Sequence, residues 1–209
     1  MAQRVITVQH AVLADRLSVM RERTTPHGAF RRAVYEASAI MAVEVARALP
    51  LREVEIETPL EATRGHRLRD EITVVPVLRA GLGMVEGFLR LLPDARVGHL
   101  GIQRDHEELV PIDYFQRLPP GLPDVPVYLL DPMLATGVSA VRALDHLKRA
   151  GARHLELVCL VAAPEGLAAL EAEHADVPVW TAAIDRQLDE NAYIRPGLGD
   201  AGDRVFGTL

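Results

Sequence analysis

The sequence holds a single cysteine, Cys159, in 209 residues, so no intramolecular disulfide can form. Its setting, "LELVCLVAA", is that of a buried, inert thiol rather than a reactive one. Aromatic residues make up only 4 % of the chain, and Trp180 with the few tyrosines forms no stacking platform for single-stranded RNA. Positive charge is also in short supply. The formal net charge is −6, whereas a non-specific polyanion binder needs a basic face to displace counterions. A small anion held by a few placed arginines is still allowed.

Other absences narrow the field further. No apolar run reaches the roughly 18–20 residues of a membrane span, and "MAQRVITVQHAVLADRLSV" lacks the apolar centre of a signal peptide. The expectation is a soluble, cytoplasmic protein with neither membrane nor nucleic acid as partner. The histidines are scattered, and no H-E-x-x-H or paired C-x-x-C occurs, so a zinc site has no support. There is no G-x-x-x-x-G-K-[ST] phosphate loop. "GLGDAG" (197–202) matches G-x-G-x-x-G, but only seven residues follow it, too few for a helix and a returning strand.

What is present is ordinary globular material, 49 % hydrophobic, enough for one sizeable core. Residues 1–50 read as a helical segment. In "AFRRAVYEASAIMAVEVARALP" the positions Phe30, Val34, Ala37, Met41, Val45 and Ala48 follow three-to-four spacing, and Pro50 stops the run. Over 51–209 short apolar strands alternate with helices: strands at 54–60, 72–78, 95–102, 125–130, 154–163 and 177–184, and helices at 81–92, near 137–150 and from Pro164. Such alternation predicts an α/β fold with a mostly parallel sheet, its strands covered on both faces. The polar stretch 103–124 is long enough to be a lid, binding loop or hairpin.

The segment "LLDPMLATGVSA" (129–140) carries the chemistry. A strand ends at a lone carboxylate, Asp131, and a small-residue loop leads into a helix. Free N–H groups at that helix start favour an anion. Gly137 permits a nest of converging N–H groups, and Thr136 and Ser139 add hydroxyls, which suits a phosphate monoester. The loop alone favours a helix cap with a turn glycine, and Asp131 alone is equally a surface acid. Yet Asp131, Arg79 and Arg104 all fall at carboxyl ends of strands, where open sheets of this kind bind ligands.

"DPMLATGVS" resembles the signature by which type I phosphoribosyltransferases bind 5-phospho-α-D-ribose 1-diphosphate (PRPP), in the form used by the uracil phosphoribosyltransferases. "VPVLRAGLGM" (75–84), "LVAAPEG" (160–166) and "YIRPGLGDAGDRVFGT" (193–208) resemble the same family, in register along nearly the whole chain. The resemblance implies the type I phosphoribosyltransferase fold in a single domain, 1–209. It implies transfer of phosphoribosyl from PRPP to uracil, giving UMP and diphosphate, with Mg²⁺ held mainly through PRPP and water near Asp131 and Asp200.

Carried over position by position, Pro132, Met133 and Leu134 belong to the PRPP signature, and Ala135, Thr136, Gly137, Val138 and Ser139 cradle the 5′-phosphate. Asp131 lies near the ribose hydroxyls. Arg79 and Arg104 hold the diphosphate, and Asp200 faces the ribose or its Mg²⁺. Ile194, Gly199, Asp200 and Ala201 meet uracil, largely through backbone groups. The family further implies GTP as an allosteric activator and a homodimer or higher oligomer, for which the N-terminal helical segment offers an interface.

Three positions depart from the family pattern. Val138 replaces a common second glycine, Gln103 a common tyrosine, and His106 a residue that is often acidic. No general base for uracil N1 is evident. Two competing readings are an RNA-binding pyrimidine regulator on the same fold, which would need a basic face, and a nucleotide-sensing module without turnover.

Overall fold

The computed structural model describes residues 3–104 and 111–208. The chain opens with β1 (Val5–Thr7), α1 (Ala11–Arg21) and α2 (His27–Ala46), followed by β2 (Leu51–Glu57) and β3 (Ala62–Leu68). Next come β4 (Thr73–Leu78), α3 (Leu82–Leu91), β5 (Arg96–Val97), β6 (His99–Arg104) and β7 (Pro111–Arg117). A 3₁₀ turn at Leu122–Asp124 leads to β8 (Pro126–Leu130), β9 (Met133–Leu134), α4 (Val138–Arg149), β10 (His154–Ala162) and α5 (Pro164–His174). The last elements are β11 (Val179–Ile184), β12 (Gln187–Leu188), β13 (Ile194–Arg195) and α6 (Ala201–Phe206).

The central sheet has the order β1-β11-β10-β8-β4-β6-β7, with β5 beside β4 and β9 beside β10. All its pairings are parallel except β6 with β7. Alternate residues of the apolar strands feed two cores, as a sheet covered on both faces requires. Val74, Tyr128, Leu130, Val158 and Leu160 meet Leu13, Met20, Phe30, Met41, Met84 and Phe88 from α1, α2 and α3. Val75, Leu129, Leu157 and Cys159 meet Ala140, Leu144, Leu147 and Leu170 from α4 and α5.

This layering places the functional end. From β4 the chain passes through α3 toward one edge of the sheet, and from β8 through α4 toward the other. The neighbouring carboxyl ends of β4 and β8 are therefore a switch point, where the diverging connections leave a crevice. Arg79 and Asp131 are the residues that follow those two strands.

Several expectations need correction. The strand expected at 54–60 belongs instead to the β2–β3 hairpin, which pairs from Leu51↔Leu68 to Glu57↔Ala62 outside the main sheet. It is exposed on both faces, because its mixed charged and apolar residues have no layer to cover them. The first 50 residues are not wholly helical. β1 closes one edge of the sheet against β11, a strand too short to leave a period in the sequence. In α2 the expected apolar positions from Phe30 to Val45 are buried, but the helix ends at Ala46 and Ala48 is exposed. A hairpin is one of the forms expected of the 103–124 stretch, and β7 does pair antiparallel with β6. A six-residue helix, α6, starts within "GLGDAG".

Helices α2 and α3 cross where a Cβ on Gly87 would lie 2.7 Å from Ala39 N, Ser38 Cβ and Tyr35 O. Gly28, in the first turn of α2, has nothing within 4 Å of its virtual Cβ. Gly87→Ala should therefore lower stability by about 1–3 kcal/mol through overpacking, whereas Gly28→Ala should raise it by roughly 0.5–1 kcal/mol through helix propensity. Thermal unfolding of the two variants beside the wild type checks both signs.

Candidate active site

The loop after β8 is built on two backbone crossings. A Cβ at Gly81 would come 2.4 Å from Leu130 O and 2.7 Å from Val77 O. Only glycine lets the turn after β4, which carries Arg79 and Ala80, lie against Leu130 at the end of β8, the residue before Asp131. On the other side, a Cβ at Gly166 would lie 2.4 Å from Ala135 O and 2.8 Å from Leu134 O. The 131–137 loop thus rests directly on the first turn of α5, so "LVAAPEG" is a shelf for that loop. The Leu78–Arg79 peptide is cis.

Gly137 takes the left-handed conformation (φ 83°) and is the N-cap of α4, with no side chain capping the helix. A side chain here would also meet Ala169 Cβ at 2.9 Å and Gly166 O at 3.0 Å. The first N–H groups of α4 therefore face the loop without a side-chain cap, and the helix dipole adds partial positive charge there. Basic His146, Lys148 and Arg149 complement its other end. Val138 is 38 % exposed and lines an outer groove with Val141, Arg142, Asp145 and Ala169. The branched side chain of this departure from the family pattern therefore faces that outer groove. Thr136 and Ser139 are half-buried.

Asp131 accepts a hydrogen bond from Met133 N–H at Oδ1 (3.2 Å). Part of the residue reaches solvent, yet desolvation outweighs that bond and pushes its carboxyl up to about 6. Cys159, behind the loop, is fully buried, and burial pushes its thiol up to about 12. It is inert, as its sequence setting predicts.

The C-terminal strip reaches the same place. Asp200 is the N-cap of α6, accepting from Asp203 N–H at 2.9 Å. A Cβ at Gly202 would sit 3.7 Å from Ala80 Cβ, so the start of α6 adjoins the turn that carries Arg79. Arg79 pairs with Asp203 (3.0 Å). The Thr208 hydroxyl and then Arg79 hold the Asp203 carboxyl below its usual range. Ile194 and Ala201 bury their side chains in the core, leaving backbone as what they can present, and Gly199 (φ 76°) is exposed. The backbone of Arg104 ends β6, next to β4. The side chains of Gln103 and Arg104, and His106 altogether, lie outside the described residues.

Some contacts that shape this strip leave no local spacing in the sequence. Arg204 donates to Leu198 O (2.8 Å), Glu22 O (2.7 Å) and Met20 O, and its guanidinium lies 4.3 Å over the Phe30 ring. It ties the strip to the end of α1. Asp185 and Arg21 hold Gly197. Partners distant by more than 150 residues, such as Met20 and Arg204, have no local spacing to betray them. Among the described residues, no three of His, Cys, Asp and Glu gather as a metal-binding set, and no helix is long and apolar enough to cross a membrane.

Comparison with known proteins decides the family. The family profile described as uracil phosphoribosyltransferase matches residues 6–208. The chain belongs to the uracil phosphoribosyltransferase family. A relative of that name from Salinibacter ruber is 54 % identical over 206 residues, covering 99 % of this chain and 98 % of the relative. One from Listeria innocua is 48 % identical, covering 98 % of each. A solved structure from Aquifex aeolicus matches with a TM-score of 0.92 at 35 % identity, covering 97 % of both chains. A purine phosphoribosyltransferase from Pyrococcus horikoshii matches with a TM-score of 0.51 at 15 % identity over 74 % of this chain and 84 % of that one, which shows the shared type I fold alone.

The Asp131 carboxyl gives a pH signature. Its folded value of about 6 lies above the ordinary 3.8, so between these values the folded chain binds the extra proton and stability falls as pH rises. Urea unfolding of the ligand-free protein from pH 4 to 7 should show Asp131→Asn gaining on the wild type across that window, by on the order of 2 kcal/mol at pH 7. Parallel curves for the two proteins would mean that the carboxyl is not desolvated.

Proposed function

We propose that residues 1–209 act as one phosphoribosyltransferase domain that joins the phosphoribosyl group of PRPP to uracil, giving UMP and diphosphate. The observation that carries this reading is the meeting of three segments at the switch point. They are the 131–139 loop, the Arg79 turn and the 194–203 strip, each with a different chemical offering.

The glycosidic carbon passes through an oxocarbenium-like state as the diphosphate departs, so the site needs a fixed phosphate, cations at the leaving group and little water. Ala135 to Ser139 take the 5′-phosphate on the N–H groups opening α4. Asp131, as carboxylate, accepts from the ribose hydroxyls. A diphosphate competes with Asp203 for Arg79, whose planar fork suits phosphate oxygens, and Arg104 is assigned to the same group. Binding a polyanion also favours the site's cationic partners staying charged.

Ile194, Gly199 and Ala201 present backbone donors and acceptors to the uracil edge, while Asp200 lies between base and ribose. Cytosine would place a donor where uracil has its O4 acceptor, leaving buried groups unpaired. Phosphoribosyltransferases generally use Mg²⁺ with PRPP. The two acids, Asp131 at a strand end and Asp200 at a helix start, suit a hydrated ion held chiefly by PRPP. Its contribution would be neutralisation of diphosphate charge.

GTP activation and assembly as a homodimer or higher oligomer belong to this reading too. The apolar face of α2 is used inside the chain, so it is not available as an interface. Leu51, Ile56, Leu60 and Leu68 on the β2–β3 hairpin remain exposed, and they support self-association through that hairpin. No observation favours the RNA-binding reading.

Purified protein with PRPP and Mg²⁺ should form nucleotide from uracil but not from cytosine, orotate or hypoxanthine, and faster with GTP. Arg79→Ala should lower kcat/KM for PRPP about a hundredfold with little change in melting temperature, since its ion pair is exposed. Turnover of another base in place of uracil would overturn the assignment of the strip, and an unchanged rate in Arg79→Ala would overturn the role of that arginine.

A further inference from the structure

Backbone groups discriminate between bases only if they are held in place. The strip that offers them contains two left-handed glycines, Gly197 (φ 65°) and Gly199 (φ 76°), and glycine carries no rigidity of its own. The restraint comes from elsewhere in the chain. Asp185 stands just past the end of β11 and is only 7 % exposed. Its Oδ2 accepts the Gly197 N–H at 2.9 Å. Arg21, in the last turn of α1, donates to both carboxylate oxygens, at 2.9 and 2.6 Å. The same Nη1 also donates to Gly197 O at 2.8 Å.

One ion pair therefore holds both polar ends of a single glycine residue, three positions after Ile194 and two before Gly199. The site leaves no slack, because a Cβ on Gly197 would lie 2.1 Å from Ile194 O. Burying the Asp185 carboxylate carries a desolvation cost that an apolar residue would avoid, and the pair it makes with the partly exposed Arg21 lies where it fixes a peptide rather than where it fills the core. We infer that Arg21 and Asp185 are positioning residues for base recognition, which set the 194–201 backbone at the spacing uracil requires. The inference rests on the reading of that strip as the uracil site. It gives the N-terminal helix α1 a part in base selection.

The test is steady-state kinetics of Arg21→Ala, Arg21→Lys and Asp185→Asn, each substrate being varied at saturation of the other. The KM for uracil should rise about tenfold or more in Arg21→Ala and Asp185→Asn, while that for PRPP stays within about twofold. Arg21→Lys, which keeps the charge but not the fork, should recover part of the loss. Glu156→Ala supplies the control. Glu156 is a half-buried acid that accepts from the Trp180 indole at the amino-terminal end of β10, and its loss leaves that N–H without its partner, which should lower the melting temperature without moving the KM for uracil. Should Arg21→Ala fail to fold, Arg21→Lys and Asp185→Asn decide the matter.

A KM for uracil unchanged in the variants, or rising together with that for PRPP, overturns the inference while the uracil reading stands. A wild type that turns over no uracil overturns both.

Discussion

The site exists because three stretches of backbone approach more closely than any side chain would permit. Gly81 against Leu130 O, Gly166 against Ala135 O and Gly197 against Ile194 O each leave under 2.5 Å for a Cβ. The first sets the Arg79 turn against the end of β8, the second seats the 131–137 loop on α5, and the third folds the C-terminal strip over itself. Such contacts bury little apolar area, so they contribute little hydrophobic stabilisation. The surrounding sheet supplies that, through strands apolar on both faces, and the glycines convert its rigidity into placement.

The two cores have separate duties under this arrangement. The face covered by α4 and α5 carries the 131–137 loop, and its helices meet that loop at Gly137 and Gly166. The opposite face, covered by α1, α2, α3 and α6, carries the strip, through Arg204 over Phe30 and through Arg21 on Asp185. In the proposed reading, phosphate and base are thus held from opposite sides of one sheet. The β4–β8 crevice is where both reach.

Strands with continuous Val and Leu, and helices with a clear apolar stripe, were legible in the sequence because burial dictates their period. Hence β4, β8, β10 and most of α2 fall where periodicity predicts them. The short pieces were not legible: β1, β9, β12 and β13 span two or three residues each, and β3 is mostly polar between Ala62 and Leu68. Of the site, Asp131, Arg79 and the 135–139 loop could be picked out because strand-end chemistry is local. The strip at 194–201 was identifiable through its family resemblance and not through its own spacing. Arg21 and Asp185 were invisible, and Arg204 lay in the family motif with no sign of its role, since what matters about all three is a partner far away along the chain.

The central claim is that phosphate, ribose and base meet at the ends of β4 and β8. A crystal structure of the protein with bound UMP tests it most directly. The account requires the 5′-phosphate on the N–H groups of Ala135 to Ser139, the ribose hydroxyls facing Asp131, and the uracil edge against the backbone of residues 194–201. UMP bound with its phosphate away from the α4 N-terminus, or its base away from that strip, would contradict it.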